Sequence, residues 1–265
     1  MSPTPTSCVV TGAARGIGRG IAEQLVARGH RVVVTDIDGE AAARTASEVG
    51  AAEGLVQDVR DPASHRDVAA AAARHGVLTA WFNNAGVGYD GNLVELTEEQ
   101  IRALVEINLL GILWGTRAAV DAFGKGGGDV VITASLSGLG PVPGLSVYAA
   151  TKAAAVSVAM SVNLETPATV RIHALCPDGV ATDMLHDMST DGMAKKLVFS
   201  GGRILTIDEI AREAVGLIGS KRVIRTVPTW RAAVMRGSAL VPSQAAGGLR
   251  LFSAQGRRNV RKSAG

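Results

Sequence analysis

The sequence predicts a single α/β domain: a doubly wound parallel sheet of about seven strands with helices on both faces, continued by a C-terminal helical extension. Three observations predict it. Short β-branched runs alternate with longer alanine-rich stretches, the pattern of a sheet wound by crossover helices. The first run ends in a glycine-rich turn that opens a helical pattern. No repeat or composition break divides the 265 residues, and at 47% hydrophobic and 19% charged they suffice for one sizeable core.

Strands are predicted at 8–11, 31–36, 54–57, 80–83, 130–134, 170–175 and 223–227. After the first, Ile17, Ile21 and Leu25 recur every four residues and lay one helical stripe on the sheet. Asp61 followed by Pro62 suits a capping residue and first-turn proline. Thr97 with Gln100, and Thr206 with Glu209, have capping-box spacing. An apolar helical pattern runs over 101–123 with Asn108 inside it. Beyond the seventh strand the prolines at 228 and 242 and the paired glycines at 247 and 248 break the chain into one or two short helices. The boundaries are therefore set at 1–229 for the main domain and 230–265 for the extension.

Cys8 and Cys176 lie in apolar, strand-like stretches and read as buried thiols in a reducing compartment, without a disulfide framework. Residues 1–7 lack a basic segment followed by an apolar run, so no signal peptide is expected. The uncharged stretch 130–151 is interrupted by Gly138, Gly140, Pro141, Pro143 and Gly144, which excludes a spanning helix there. A soluble, cytoplasmic protein is expected. Charge is unevenly placed: ten of the 27 Lys and Arg residues, and none of the 24 acidic ones, lie from residue 214 onward.

The turn after the first strand reads Thr11-Gly12-Ala13-Ala14-Arg15-Gly16-Ile17-Gly18. Glycines let the backbone approach a pyrophosphate closely, and the free N–H groups and dipole of a helix N-terminus favour that anion. Asp36 ends the second strand, where a carboxylate accepts hydrogen bonds from an adenosine ribose and repels a 2′-phosphate. This favours NAD over NADP. Arg15 argues the other way, since a guanidinium could pair with that phosphate, and NADP is kept as the alternative.

Tyr148 and Lys152 are four residues apart, hence one helical turn apart on one face. The ammonium is expected to lower the tyrosine's pKa and let it exchange a proton nearer neutrality. Ser135, thirteen residues earlier at the end of the fifth strand, would hold a substrate oxygen as charge develops on it.

With this glycine spacing, Asn83-Asn84-Ala85-Gly86 after the fourth strand, and Ser135, Tyr148 and Lys152 in this order, the chain resembles the short-chain dehydrogenase/reductase family, in its standard Tyr-x-x-x-Lys subgroup, over roughly the first 220 residues. The resemblance implies a Rossmann-type fold and an NAD-dependent oxidoreductase acting on CH–OH groups. It implies that Ser135, Tyr148, Lys152 and Asn108 are catalytic, Asn108 through a water relay to the lysine. It further implies that the cofactor meets Gly12, Arg15, Gly16, Ile17, Gly18, Asp36, Asp58, Val59, Asn84, Ala85, Gly86, Tyr148, Lys152, Pro177, Val180 and Thr182, with no metal. Asp58 and Val59 resemble the pair beside the adenine, and Thr182 the threonine beside the nicotinamide amide.

Two departures stand out. Asp178 follows Pro177 where the family usually has glycine, and the Asp-Gly-Gly ending of tetrameric members is missing. A dimer through the helices over 104–123 and 148–164 is therefore expected. The stretch 182–202, with Met184, Leu185, Met188, Met193, Leu197, Val198 and Phe199, reads either as a flexible apolar lid or as cover for the core. As a lid it implies a hydrophobic secondary alcohol or ketone. Two other functions are compatible with the chain. One is a non-catalytic NAD-binding sensor, disfavoured by the intact serine, tyrosine, lysine and asparagine. The other is surface binding by the basic tail, where Trp230, Val234, Leu249, Leu251 and Phe252 interleave with Arg231, Arg236, Arg250, Arg257 and Arg258. No nucleic acid is expected, peripheral membrane contact is allowed, and packing of the tail against the body is preferred.

Overall fold

The structure is a computed structural model that describes residues 4–189, 192–241, 243 and 253–260. Seven strands form one parallel sheet: β1 (Thr6–Thr11), β2 (Arg31–Asp36), β3 (Glu53–Val56), β4 (Val77–Asn83), β5 (Gly128–Thr133), β6 (Val170–Pro177) and β7 (Ile224–Val227). Their order is β3-β2-β1-β4-β5-β6-β7. The chain winds outward from β1 to β3, then returns to the other side of β1 and winds outward again. The crevice at the carboxyl ends of β1 and β4 is thus a topological switch point, where ligands of open α/β sheets bind. The predicted strands all occur, within three residues at each end, and the Rossmann-type doubly wound architecture is observed.

The helices are α1 (Gly16–Ala27), α2 (Gly39–Val49), α3 (Pro62–His75), α4 (Glu98–Val105), α5 (Gly111–Phe123), α6 (Ser146–Glu165), α7 (Asp183–His186), α8 (Met193–Phe199), α9 (Ile207–Val215) and α10 (Thr229–Leu240). Residues 253–260 are also helical. Strand alternation splits the core into two layers. Val9, Trp81, Val130 and Ile132 face α3, α5 and α6 through Val68, Ile112, Ala119, Ala155 and Ala159. Cys8, Val10, Phe82 and Val131 face the other way, onto Ile21 and Leu25 of α1 and Ile210 and Ala214 of α9. Burial pushes the free thiols of Cys8 and Cys176 up to about 12.

Local signals act largely as read. Asp61 accepts from the Ala63 N–H ahead of Pro62, and Thr97 with Gln100 completes a capping box. Thr206 caps α9, but Glu209 turns instead to Arg203, so that box is half made. The helix expected over 101–123 is interrupted by a π-helical turn at Glu106–Leu110, with Asn108 buried inside it. Among the described residues, two helical stretches, Glu98–Gly126 and Ser146–Glu165, are long and apolar enough to cross a membrane by length and composition. Here both lie against the sheet and contribute Leu104, Ile112, Ala155 and Ala159 to buried positions.

At the amino ends of β5 and β6, Asp129 is 2% exposed and gathers Arg171 (two bonds of 2.7 Å) and His173 (3.0 Å). Burial alone would raise this carboxyl. The bonds from His173 and Arg171 outweigh burial and hold it below the usual carboxylate range. This cluster is far along the strands from the switch-point crevice.

Candidate active site

Gly12 and Gly16 carry φ of +62° and +57°, a conformation that favours glycine. A Cβ on Gly12 would sit 2.6 Å from the Ala85 Cα, so the glycine also admits the neighbouring loop. Arg15 precedes α1 without a side-chain cap, and the first turn holds no acidic residue. The N–H groups of Gly16, Ile17 and Gly18 are left for an anion. Asp36, at the end of β2, accepts from Ala14 N at 3.1 Å and from Asp38 N at 3.3 Å, which fixes its carboxylate beside the turn. Arg15 reaches the opposite wall and pairs with Asp183 at 3.2 Å, in the open. This cradle fits a dinucleotide: donors face the phosphate position and a carboxylate faces the ribose position.

The loop after β4 is fastened on both sides. Asn83 accepts from the Trp81 indole at 2.9 Å and donates to Thr116 at 3.1 Å, joining β4 to α5. Asn84 donates to the carbonyls of Thr11 and Gly12 and accepts from Thr133, and Thr11 Oγ1 takes the N–H groups of Asn84 and Ala85. Glycine turn, Asn-Ala-Gly loop and β5 are therefore one rigid body. Asp58 and Val59 follow β3. The Arg60 guanidinium bonds both oxygens of Asp58 (2.6–3.0 Å) and holds the carboxyl below its usual range, while Val59 packs on Gly111. Asp58, Arg60, Asp61, Glu106 and Leu110 line a concavity of about 430 Å³ at the carboxyl edge of β3.

Ser135, Tyr148, Lys152 and Asn108 converge beside this body. Ser135 follows β5 and accepts from Ser137 N at 3.1 Å. Tyr148, in the first turn of α6, stands close enough to Ser135 for that hydroxyl to pull its pKa downward. Lys152 is 4% exposed, donates to Thr133 O at 2.8 Å and lies 5.5 Å from the Tyr148 ring centre. The expected lowering of Tyr148 is corrected in the protein alone: burial raises the phenol to about 12, against a smaller pull downward from Ser135. Burial likewise lowers Lys152 to about 8. Both charged forms lose more hydration here than their neighbours return. Asn108 spends its side chain on Val87, accepting from its N–H and donating to its carbonyl, both at 2.8 Å, with a longer bond of 3.4 Å to Thr151. Gly86 lies between Asn108 and Lys152; a Cβ there would be 3.1 Å from Asn108 Oδ1 and 3.6 Å from Lys152 Nζ.

Pro177 ends β6, Val180 bridges to Leu205, and Thr182 faces the glycine turn, its methyl 3.7 Å from where a Gly16 Cβ would be. The apolar residues of 182–202 divide. Leu197 is buried, while Met184 and Met193 are exposed and stand beside Gly88 and Gly144 at the mouth of the crevice. Asp178 is accounted for by a residue of the basic tail, for which packing against the body is the preferred expectation and surface binding the alternative. Arg231 of α10 points inward and meets it at 2.8 Å, with side-chain exposures of 8% and 11%. Arg231 is thereby removed from the interleaved cationic surface of the tail. Trp230 and Val234 remain exposed, whereas Leu249, Arg250, Leu251 and Phe252 lie outside the described residues. Sequence reading also missed Asp90, whose carboxylate takes Ser189 N at 3.0 Å, and Asn259, which donates to Phe199 O at 2.9 Å. Neither stands in a local pattern that announces it.

Fold and crevice together define a nucleotide-binding α/β oxidoreductase with a Ser–Tyr–Lys group at the switch point. The short chain dehydrogenase family model matches residues 6–192. A sorbitol dehydrogenase of Cereibacter sphaeroides is 37% identical over 194 residues, 72% of this chain and 74% of that protein. The Escherichia coli 3-oxoacyl-[acyl-carrier-protein] reductase FabG is 33% identical over 217 residues, 80% and 88% of the two chains. Among solved structures, a Burkholderia phymatum short chain dehydrogenase/reductase in complex with NAD superposes with a TM-score of 0.78 at 26% identity, covering 88% and 92%. An alcohol dehydrogenase of the archaeon Thermococcus sibiricus, complexed with 5-hydroxy-NADP, gives 0.70 at 28%, covering 83% and 95%. The chain belongs to the short-chain dehydrogenase/reductase family and is an oxidoreductase acting on alcohol- or ketone-type substrates.

Proposed function

We propose that the protein interconverts a hydrophobic secondary alcohol and its ketone with NAD(H), Tyr148 being the proton-transfer residue. The observation that carries this reading is the meeting of Tyr148, Ser135 and Lys152 beside the glycine turn, with Asp36 braced at the ribose position. When bound, the nicotinamide supplies the hydride donor or acceptor and, in its oxidised form, a positive charge. Tyr148, protonated at neutral pH in the protein alone, is in the state needed to donate to a developing alkoxide. Ser135 keeps its hydroxyl near the same oxygen and orients it. Lys152 uses one ammonium hydrogen on Thr133 and keeps two for the cofactor ribose. Asn108 holds the Gly86–Val87 loop against them.

Asp36 favours NAD because its carboxylate, already oriented by two N–H donors, would repel a 2′-phosphate. Arg15, the residue that would welcome the phosphate, is engaged by Asp183. Met184 and Met193 at the mouth support an apolar substrate. The same reading includes a homodimer through the outer sides of α4, α5 and α6, where Val105, Met160 and Leu164 are exposed, in a cytoplasmic setting that suits two free thiols.

Purified protein titrated with NADH and NADPH by nicotinamide fluorescence, alongside Tyr148→Phe assayed on apolar secondary alcohols and ketones, tests this. Tighter NADH binding and turnover lost in the variant support it. Absence of nucleotide binding, or turnover indifferent to Tyr148, overturns it.

A further inference from the structure

The C-terminal extension reinforces the cap of helix α8 and supplies the donor for its last carbonyl, Phe199 O. A helix leaves its last carbonyls without intrahelical donors, and a cation at that end also complements its dipole. In α8 the N–H groups of Ser200 and Gly201 and the Ser200 hydroxyl meet the Lys196, Leu197 and Val198 carbonyls, and further donors arrive from outside the 182–202 stretch. Arg231 Nη2 donates to Leu197 O at 3.0 Å and Nη1 to Ser200 Oγ at 2.9 Å, while Asn259 donates to Phe199 O at 2.9 Å. The third arm of the same guanidinium, Nε, is anchored on Asp178 at 2.8 Å, one residue past β6. Gly256 presses so closely on α8 that an added Cβ would fall 1.7 Å from Lys196 O.

The other end of α8 borders the crevice. A Cβ on Gly144, four residues before Tyr148, would meet Ala194 N at 3.4 Å and the Met193 Cβ at 3.8 Å. The C-terminal turn of α8 rests on Gly179, where a Cβ would lie 2.2 Å from a Val198 methyl. A shift of the capped end of this short helix is therefore transmitted to Met193 at the mouth.

We propose that Arg231 and Asn259 are positioning residues for substrate: by capping α8 from the extension they fix the apolar wall formed by Met193 and Ala194, and so set substrate affinity without touching the reacting atoms. The fork geometry matters, because lysine reaches Asp178 or the carbonyl but cannot span three acceptors. This rests on the oxidoreductase reading for its substrate, though not for the contact itself.

The test uses the full-length protein and the variants Gly256→Ala, Asn259→Ala, Arg231→Lys and Arg231→Gln. Gly256→Ala and Asn259→Ala loosen the cap without leaving Asp178 unpaired, so they stay informative if the Arg231 variants fold poorly. Hydrogen exchange of the amides over 193–200 is expected to quicken at least tenfold. KM for the most apolar substrate turned over is expected to rise at least fivefold, with kcat within twofold and the pH profile of kcat unmoved. Arg231→Lys is expected to be milder than Arg231→Gln. Unchanged exchange in the folded Gly256→Ala and Asn259→Ala proteins overturns the cap. Faster exchange with unchanged KM, or with kcat or its pH profile displaced, overturns the positioning role. A wild-type protein that turns over no alcohol or ketone sinks the oxidoreductase reading instead, while exchange still decides whether the extension holds α8.

Discussion

Asn108 and Val87 are bonded twice, amide to backbone and backbone to amide, both at 2.8 Å. The pairing seats a π turn of one helix on the loop that leads out of β4. Asn108→Ala leaves the N–H and carbonyl of Val87 without partners at a covered position, a loss of about 1–3 kcal/mol for each group not rescued by water. The variant is expected to melt lower by an amount equivalent to about 2–3 kcal/mol and to bind NADH more weakly, as Gly86 drifts from Lys152. An unchanged melting temperature would show that the double bond braces nothing.

Lys152 makes a different trade. Its pKa falls from the unfolded value near 10.4 to about 8, so the folded state holds fewer protons between those values and stability rises as pH climbs from about 8 to 10. Below pH 8 the full cost of the buried ammonium is borne, up to roughly 3 kcal/mol from the linkage relation and less after relaxation. Lys152→Met is thus expected to abolish turnover yet stabilise the nucleotide-free protein at pH 7 by about 1–2 kcal/mol, the gain shrinking by pH 10. Denaturant melts of both proteins across that range check it. A Lys152→Met protein less stable at pH 7 would refute the buried-ammonium cost.

Asp36 is expected to govern coenzyme choice. Asp36→Ser removes the charge that repels a 2′-phosphate and keeps a small acceptor for Ala14 N. The ratio of NADPH to NADH affinity should rise at least tenfold, about 1.4 kcal/mol. No change in that ratio would remove Asp36 from the discrimination.

Asp129 predicts the acid limb of stability. Its carboxyl is held down by His173 and Arg171, so its contribution is present above the unfolded value near 3.9 and is lost as pH falls through the lower folded value. Asp129→Asn strips a buried carboxylate from Arg171 and His173 and is expected to cost about 3–5 kcal/mol at pH 7, with little effect on KM because the cluster lies at the far end of the strands. A urea melt at pH 7 and again below pH 4 should show the gap closing in acid.

What could be read along the chain was what neighbouring residues decide together. The β-branched runs, the stripe Ile17, Ile21, Leu25, the cap at Asp61 and the one-turn spacing of Tyr148 and Lys152 are local, and all appear in the structure. The π turn at Asn108 was not legible, since its cause is the loop at Val87, twenty-one residues away. Nor was the half-made box at Thr206, because Arg203 competes for Glu209 from outside the helix.

By itself, then, the sequence determined the order of strands and helices and the residues that meet at the carboxyl edge, because periodicity, caps and glycine turns act over a few residues. Tertiary structure alone decided the proton affinities of Tyr148 and Lys152, which depend on how much water packing removes, and the partnership of Asp178 with Arg231. Those two side chains are separated by more than fifty residues of chain, and only the return of α10 onto the end of β6 gives a buried carboxylate its cation.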